Sequence, residues 1–113
     1  MQIGQTLVLV GQLSPEFERF YGQLGSAEQA LIRPLGPQDE TTKHSLLRAS
    51  QFLLLPSRTD SFGIVLLEAW AHGLPVIGAR AGGIPGVVTD GQTGVLVPFG
   101  EVAALAEASQ RLL

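Results

Sequence analysis

The chain has 113 residues, room for one compact domain with a single core and not for two. Apolar residues make up 45% of it, charged residues only 15%, and mean hydropathy is +0.28; this excludes disorder and fits a parallel sheet with helices over both faces. The net charge of −3 with scattered Lys and Arg excludes an electrostatic footprint for nucleic acid, and the absence of cysteine excludes disulfides and thiolate metal sites.

The two histidines, His44 and His72, read as isolated, so no metal site is expected. The longest apolar stretch, Phe62 to Ala71, contains Glu68 and is about half of what a membrane span needs. Met1-Gln2-Ile3-Gly4 lacks the basic start of a signal peptide. The expectation is a soluble, cytoplasmic protein.

In chain order, Leu7 to Val10 reads as a short buried strand ending at Gly11. Ser14-Pro15-Glu16 then has the chemistry of a helix start, and Phe17, Phe20, Tyr21 and Leu24 follow at helical spacing up to Gly25, a C-cap residue. Ala30 to Arg33 reads as a second strand and Pro34 to Pro37 as a turn-rich loop. Glu40 to Ala49 is a helix, Phe52 to Leu55 a third strand, and Phe62 to Ala71 a third helix ended by Gly73. Val76 to Gly78 and Gly94 to Val97 are further strands, and Val102 to Leu113 is a closing helix. Strands of four or five residues alternating with helices of about ten predict βαβ units and a parallel sheet.

Ligands of such sheets bind beyond the carboxyl ends of the strands. Three loops carry the glycines, prolines and polar residues for this: Gly11 to Leu13, Pro56 to Gly63, and Ala79 to Pro85. The second leads into a helix near Ser61, whose first amides lack intrahelical acceptors and suit a phosphate; Gly63 leaves room for close approach. Asp60 is either the helix cap or a ligand-binding acid. Glu68 lies roughly two turns in, on a helix apolar nearly all round and therefore expected to be buried on most sides. Its carboxylate needs an exposed face, an internal partner or a ligand hydroxyl. Gly82-Gly83 is a turn or a close approach to ligand. Asp90 to Gly94 reads as a tight turn, His72 as a helix C-terminal residue, and Trp70 as core.

The run from Pro56 to Ala69 resembles the acid-x7-acid signature of the family 4 (group 1) glycosyltransferases. The likeness continues through Gly73 to Ile77, Gly82 to Pro85, and Asp90 to Val97, in the right order and spacing. It implies a Rossmann-like three-layer αβα sandwich with a parallel sheet, the C-terminal, donor-binding half of a GT-B fold lacking its first strand. It also implies retaining transfer from a nucleotide-diphosphate sugar with no bound metal and no other cofactor. By the same resemblance, Asp60 holds donor-sugar hydroxyls, and Ser61, Phe62, Gly63 and Ile64 meet sugar and diphosphate. Glu68 accepts hydrogen bonds from the ribose hydroxyls, and the loop after Leu35 and Gly36 lies where the family reads the nucleobase. The chemistry is coherent, because a ribose diol donates two hydrogen bonds that a carboxylate accepts.

The sequence departs from the family pattern in three places. Its first acid is aspartate, Gly86 stands where glutamate commonly follows the proline, and no counterpart of the family's opening strand and basic Arg/Lys pair precedes Leu7. Arg58 and Arg80 lie in ligand-side loops but are not assigned that role by motif. The chain is therefore expected to be a single truncated donor-binding domain, inactive alone, whose partners are the nucleotide sugar and an acceptor domain or another chain. Without the opening strand, either Leu7–Val10 pairs directly with Phe52–Leu55 or a homo-oligomer covers the exposed sheet edges. The alternative function is a non-catalytic remnant serving binding or assembly. A dinucleotide-binding domain is disfavoured, since no G-x-G-x-x-G follows the first strand.

Overall fold

The computed structural model describes residues 6–58 and 64–113. They fall into two compact units, Met1–Lys43 and His44–Leu113.

In the first unit, strand β1 (Leu7–Val10) pairs in parallel with β2 (Ile32–Gly36), Leu7 opposite Ile32 and Val10 opposite Gly36. Helix α1 (Pro15–Gln23) starts as its sequence dictates: Ser14 Oγ accepts the Phe17 amide at 3.0 Å, and Pro15 occupies the first turn. Its end differs from the expectation. Leu24 is the extended C-cap, and Gly25 instead opens a short second helix, α2 (Ser26–Gln29), with Glu28 Oε1 accepting the Gly25 amide at 3.2 Å. Ala30 consequently caps the end of α2, and β2 begins two residues later than expected and runs through Pro34 to Gly36. Proline is tolerated there because, among the described residues, β2 has a ladder on one side only, so a missing N–H on the other breaks nothing.

Helix α3 (Glu40–Ala49) has the expected bounds. Asp39 starts it, its Oδ1 accepting the Thr42 amide at 2.8 Å.

The second unit is built on strands β3 (Leu53–Leu55), β4 (Val76–Ala79) and β5 (Val95–Val97), parallel and ordered β3-β4-β5. Every residue of β4 is buried, because it has a neighbouring strand on each side and helices over each face. Alternation along β4 divides the core in two. Val76 joins Leu47 of α3, Leu66 and Ala69 of α4 (Ile64–Ala71), and Ile84 and Val88; Ile77 joins Val97 and Ala108 of α5 (Val102–Leu112). Burying each of Leu66, Ile77 and Ile84 contributes about 1.5–3 kcal/mol.

Two glycines are demanded by this packing. A Cβ on Gly78 would lie 2.7 Å from Ile84 Cγ2, and one on Gly94 would lie 2.7 Å from Val76 Cγ2 and 3.0 Å from the Val76 carbonyl. Gly73, at φ +75°, ends α4 as expected.

The chain is thus α/β with parallel sheets, as anticipated. Among the described residues β1 pairs with β2 in the first unit, and β3 with β4 in the second.

Candidate functional site

Of the residues singled out for donor binding, Asp60, Ser61, Phe62 and Gly63 lie outside the described residues. Ile64 opens the described part of α4 and is 64% exposed; Glu68 follows one turn later. Leu35 and Gly36 close β2 in the first unit, where the Gly11 amide donates to the Gly36 carbonyl at 3.1 Å and Gly36 turns the chain at φ +74°.

Helix α4 is less enclosed than its composition suggests. Leu66 and Ala69, three apart, form the face that packs on β3 and β4, but Leu67 is 52% exposed and Ile64 more so. A helix laid on one face of a sheet buries a single stripe, whatever the hydropathy of its remaining surface. Glu68 sits at the margin of that stripe: its side chain is 19% exposed, with Oε1 shielded from solvent.

The carboxylate has an internal partner. His44 of α3 places Nε2 at 3.5 Å from Glu68 Oε2, and its Nδ1 lies 3.0 Å from Nε2 of His72, which follows α4. The histidines are therefore not isolated, which corrects the reading from the sequence. They are 28 positions apart, and only the packing of α3 beside α4 brings their rings to a centroid distance of 5.3 Å. A partial signal existed: His72 stands four residues after Glu68, one helical turn away.

The loops at the carboxyl ends of the strands are locally braced. Arg58, after β3, stacks its guanidinium over the Phe99 ring at 5.6 Å. Arg80, after β4, pairs with Asp90 at 3.2 Å, and Asp90 also accepts the Leu96 amide at 2.9 Å. The Leu96 amide, helped by the Arg80 charge, holds the Asp90 carboxyl below its ordinary value of 3.8, and Asp39 is lowered by its bonds to Thr42. Gly82, at φ +60°, leads into a single 3-10 turn, Ile84–Gly86, that drops Ile84 into the core. The Asp90–Gly94 segment is the tight turn expected, with Gly91 at φ +80°. Trp70 is half-buried against the first core cluster, its indole N–H donating to the Thr93 carbonyl at 3.0 Å. A shallow depression of about 290 Å³ lies over Pro75, Gln92, Thr93 and Val95, at the amino ends of β4 and β5. That is the wrong end of a parallel sheet for a ligand.

Among the described residues, no helix is long and apolar enough to cross a membrane.

The family model described as "Glycosyl transferases group 1" matches residues 2–113. D-inositol 3-phosphate glycosyltransferases of Mycobacterium bovis and Mycobacterium tuberculosis are 40% identical over 104 residues, which is 91% of this chain and 21% of theirs. The chain thus spans about a fifth of the length of the curated relatives it matches. Among solved structures, sucrose-phosphate synthase from Thermosynechococcus elongatus superposes with a TM-score of 0.80 at 32% identity, covering 95% of this chain and 29% of that one. HepE of Anabaena, solved in complex with UDP, gives a TM-score of 0.74 at 27% identity, over 95% of this chain and 30% of that one.

Proposed function

This chain belongs to the group 1 glycosyltransferases, and from that premise we propose that it is the donor-binding part of a retaining enzyme using a nucleotide-diphosphate sugar. The observation that carries the reading is Glu68: a carboxylate on α4, largely withdrawn from water yet reachable, at the position of the family's second acid. In that role it accepts hydrogen bonds from both ribose hydroxyls. Asp60 contacts the donor sugar, and the amides of Ser61, Phe62, Gly63 and Ile64 face sugar and diphosphate, where donors aimed at the leaving group lower the barrier. The UDP complex of a structural neighbour supports the choice of ligand class. The loop after Leu35 and Gly36 reads the base.

The reading needs no metal and assigns no diphosphate clamp to Arg58 or Arg80, each already engaged with Phe99 or Asp90. Turnover therefore requires basic groups and an acceptor site from further domains or another chain, and these 113 residues are inactive by themselves; the compartment is the cytoplasm. Calorimetric titration with UDP, GDP and ADP tests this. One of the three should bind, with affinity unchanged by EDTA and reduced about tenfold or more in Glu68→Ala, the scale of hydrogen bonds to a charged group. Equal binding by the variant contradicts the assignment.

A second reading, a binding or assembly module, is favoured by the strand edges. Among the described residues β1, β2, β3 and β5 each have a ladder on one side only. Light scattering after size exclusion tests it: a dimer or larger supports self-association, and a clean monomer at high concentration rejects it.

A further inference from the structure

The pairing of His44 with both Glu68 and His72 points to a role that the family signature does not contain. A hydrogen bond between two imidazole nitrogens needs one donor and one acceptor. Two arrangements satisfy the 3.0 Å contact between His44 Nδ1 and His72 Nε2. In the first, His72 donates, His44 Nδ1 is bare, and the neutral His44 ring carries its proton on Nε2. In the second, His44 Nδ1 donates; a neutral ring would then aim the bare lone pair of Nε2 at Glu68 Oε2, 3.5 Å away, and two acceptors repel. That arrangement survives only when Nε2 is protonated too. With Glu68 ionised, an N–H on His44 Nε2 is the arrangement that suits both of these contacts.

We propose that His44 is a positioning residue for donor recognition: its Nε2–H holds the Glu68 carboxylate toward the ribose, and His72 fixes the His44 ring by bonding to Nδ1. The proposal rests on the assignment of Glu68 to the ribose made above. A carboxylate accepts about four hydrogen bonds, more than a single N–H at Oε2 uses. What it removes is rotational freedom. Glu68 carries three side-chain torsions on a helix margin, and a ribose binding a freely turning carboxylate must freeze them at the expense of affinity. His44 stands on a different helix, α3, and is 39% exposed on its side chain, so the contact is reachable from solvent and not a core requirement.

Two substitutions separate positioning from packing. His44→Asn retains a polar group near the Nδ1 position and loses the donor near Nε2; His44→Gln does the reverse. Each is titrated in the full chain with whichever of UDP, GDP and ADP binds tightest and with its 2′,3′-dideoxy form. The unchanged protein should prefer the ribonucleotide about tenfold, His44→Gln should keep most of that preference, and His44→Asn should reduce it to about twofold or less. The 2′,3′-dideoxy ligand, which has no hydroxyl to offer Glu68, should bind all three proteins similarly. A preference equal in His44→Asn and the unchanged chain overturns the proposal.

A ligand-free reading accompanies it. Nitrogen-15 shifts of the imidazole rings should show His44 protonated at Nε2, and Glu68→Gln should alter that signal. A bare Nε2 on a neutral His44 overturns the proposal whatever the titrations give. If the unchanged chain binds none of the three nucleotides while His44 shows Nε2–H, the donor assignment of Glu68 fails and the ribose role of His44 fails with it.

Discussion

The two units start from similar apolar strands and reach different degrees of burial. Leu7-Val8-Leu9-Val10 is the more hydrophobic on paper, yet Leu7, Val8 and Val10 are 37–46% exposed. Val76-Ile77-Gly78-Ala79 has two smaller residues and is buried throughout. The difference is not composition but coverage. Strand β4 has a ladder on both sides and a core cluster on each face, whereas α1 and α2 contribute no buried residue at all. Burial belongs to the layers around a strand, and a strand's own hydropathy only states what it would accept.

The largest expected effect tests that contrast directly. Ile84→Ala or Leu66→Ala should cost about 2–5 kcal/mol in urea unfolding, since each empties space in a closed cluster. Val8→Ala should cost about 1 kcal/mol or less. Equal losses would mean that the first unit is as well packed as the second. Next in size, Gly94→Ala should cost about 1–3 kcal/mol, because the new methyl meets the Val76 backbone as well as the Val76 and Val88 side chains. Gly22→Ala in α1, with nothing within 4 Å, should be neutral or slightly stabilising. The ratio of the two sharpens the comparison at constant chemistry.

The smallest effect is in acid. The Asp90 carboxyl is depressed on folding, so its stabilisation is complete above the unfolded value near 3.8 and is lost as pH falls through the lower folded value. The urea midpoint should fall below about pH 4, and Asp90→Asn should flatten that fall while lowering the midpoint at neutral pH. Asp39 contributes in the same direction from the start of α3. Both carboxylates are solvent-exposed, so the change should be modest.

Much of this was legible in the residues. Ser14-Pro15 placed the start of α1 because capping is local chemistry, and the bounds of α3 followed from its flanking loops. The region from Gly25 to Gly36 departs from its sequence pattern for an equally local reason. A glycine serves as a helix end or a helix start, and Pro34 argued for a loop when a one-sided strand accommodates it. Glu68 could be placed on its helix from the sequence, because the residues of α4 share one local pattern. His44 could not be set beside it, since its relation to Glu68 and His72 exists only once α3 lies beside α4. The openness of Ile64 and Leu67 was likewise a property of layers, beyond reach of a hydropathy pattern.

Those same open positions border the segment where a donor is expected to lie. The most direct test maps backbone amide shifts while a nucleoside diphosphate is titrated into nitrogen-15-labelled chain. The donor-site account predicts that the largest changes run from Ser57 through Glu68 and extend to His44 and His72. Changes centred instead on Gln92, Thr93 and Val95, or none at saturating nucleotide, would contradict it.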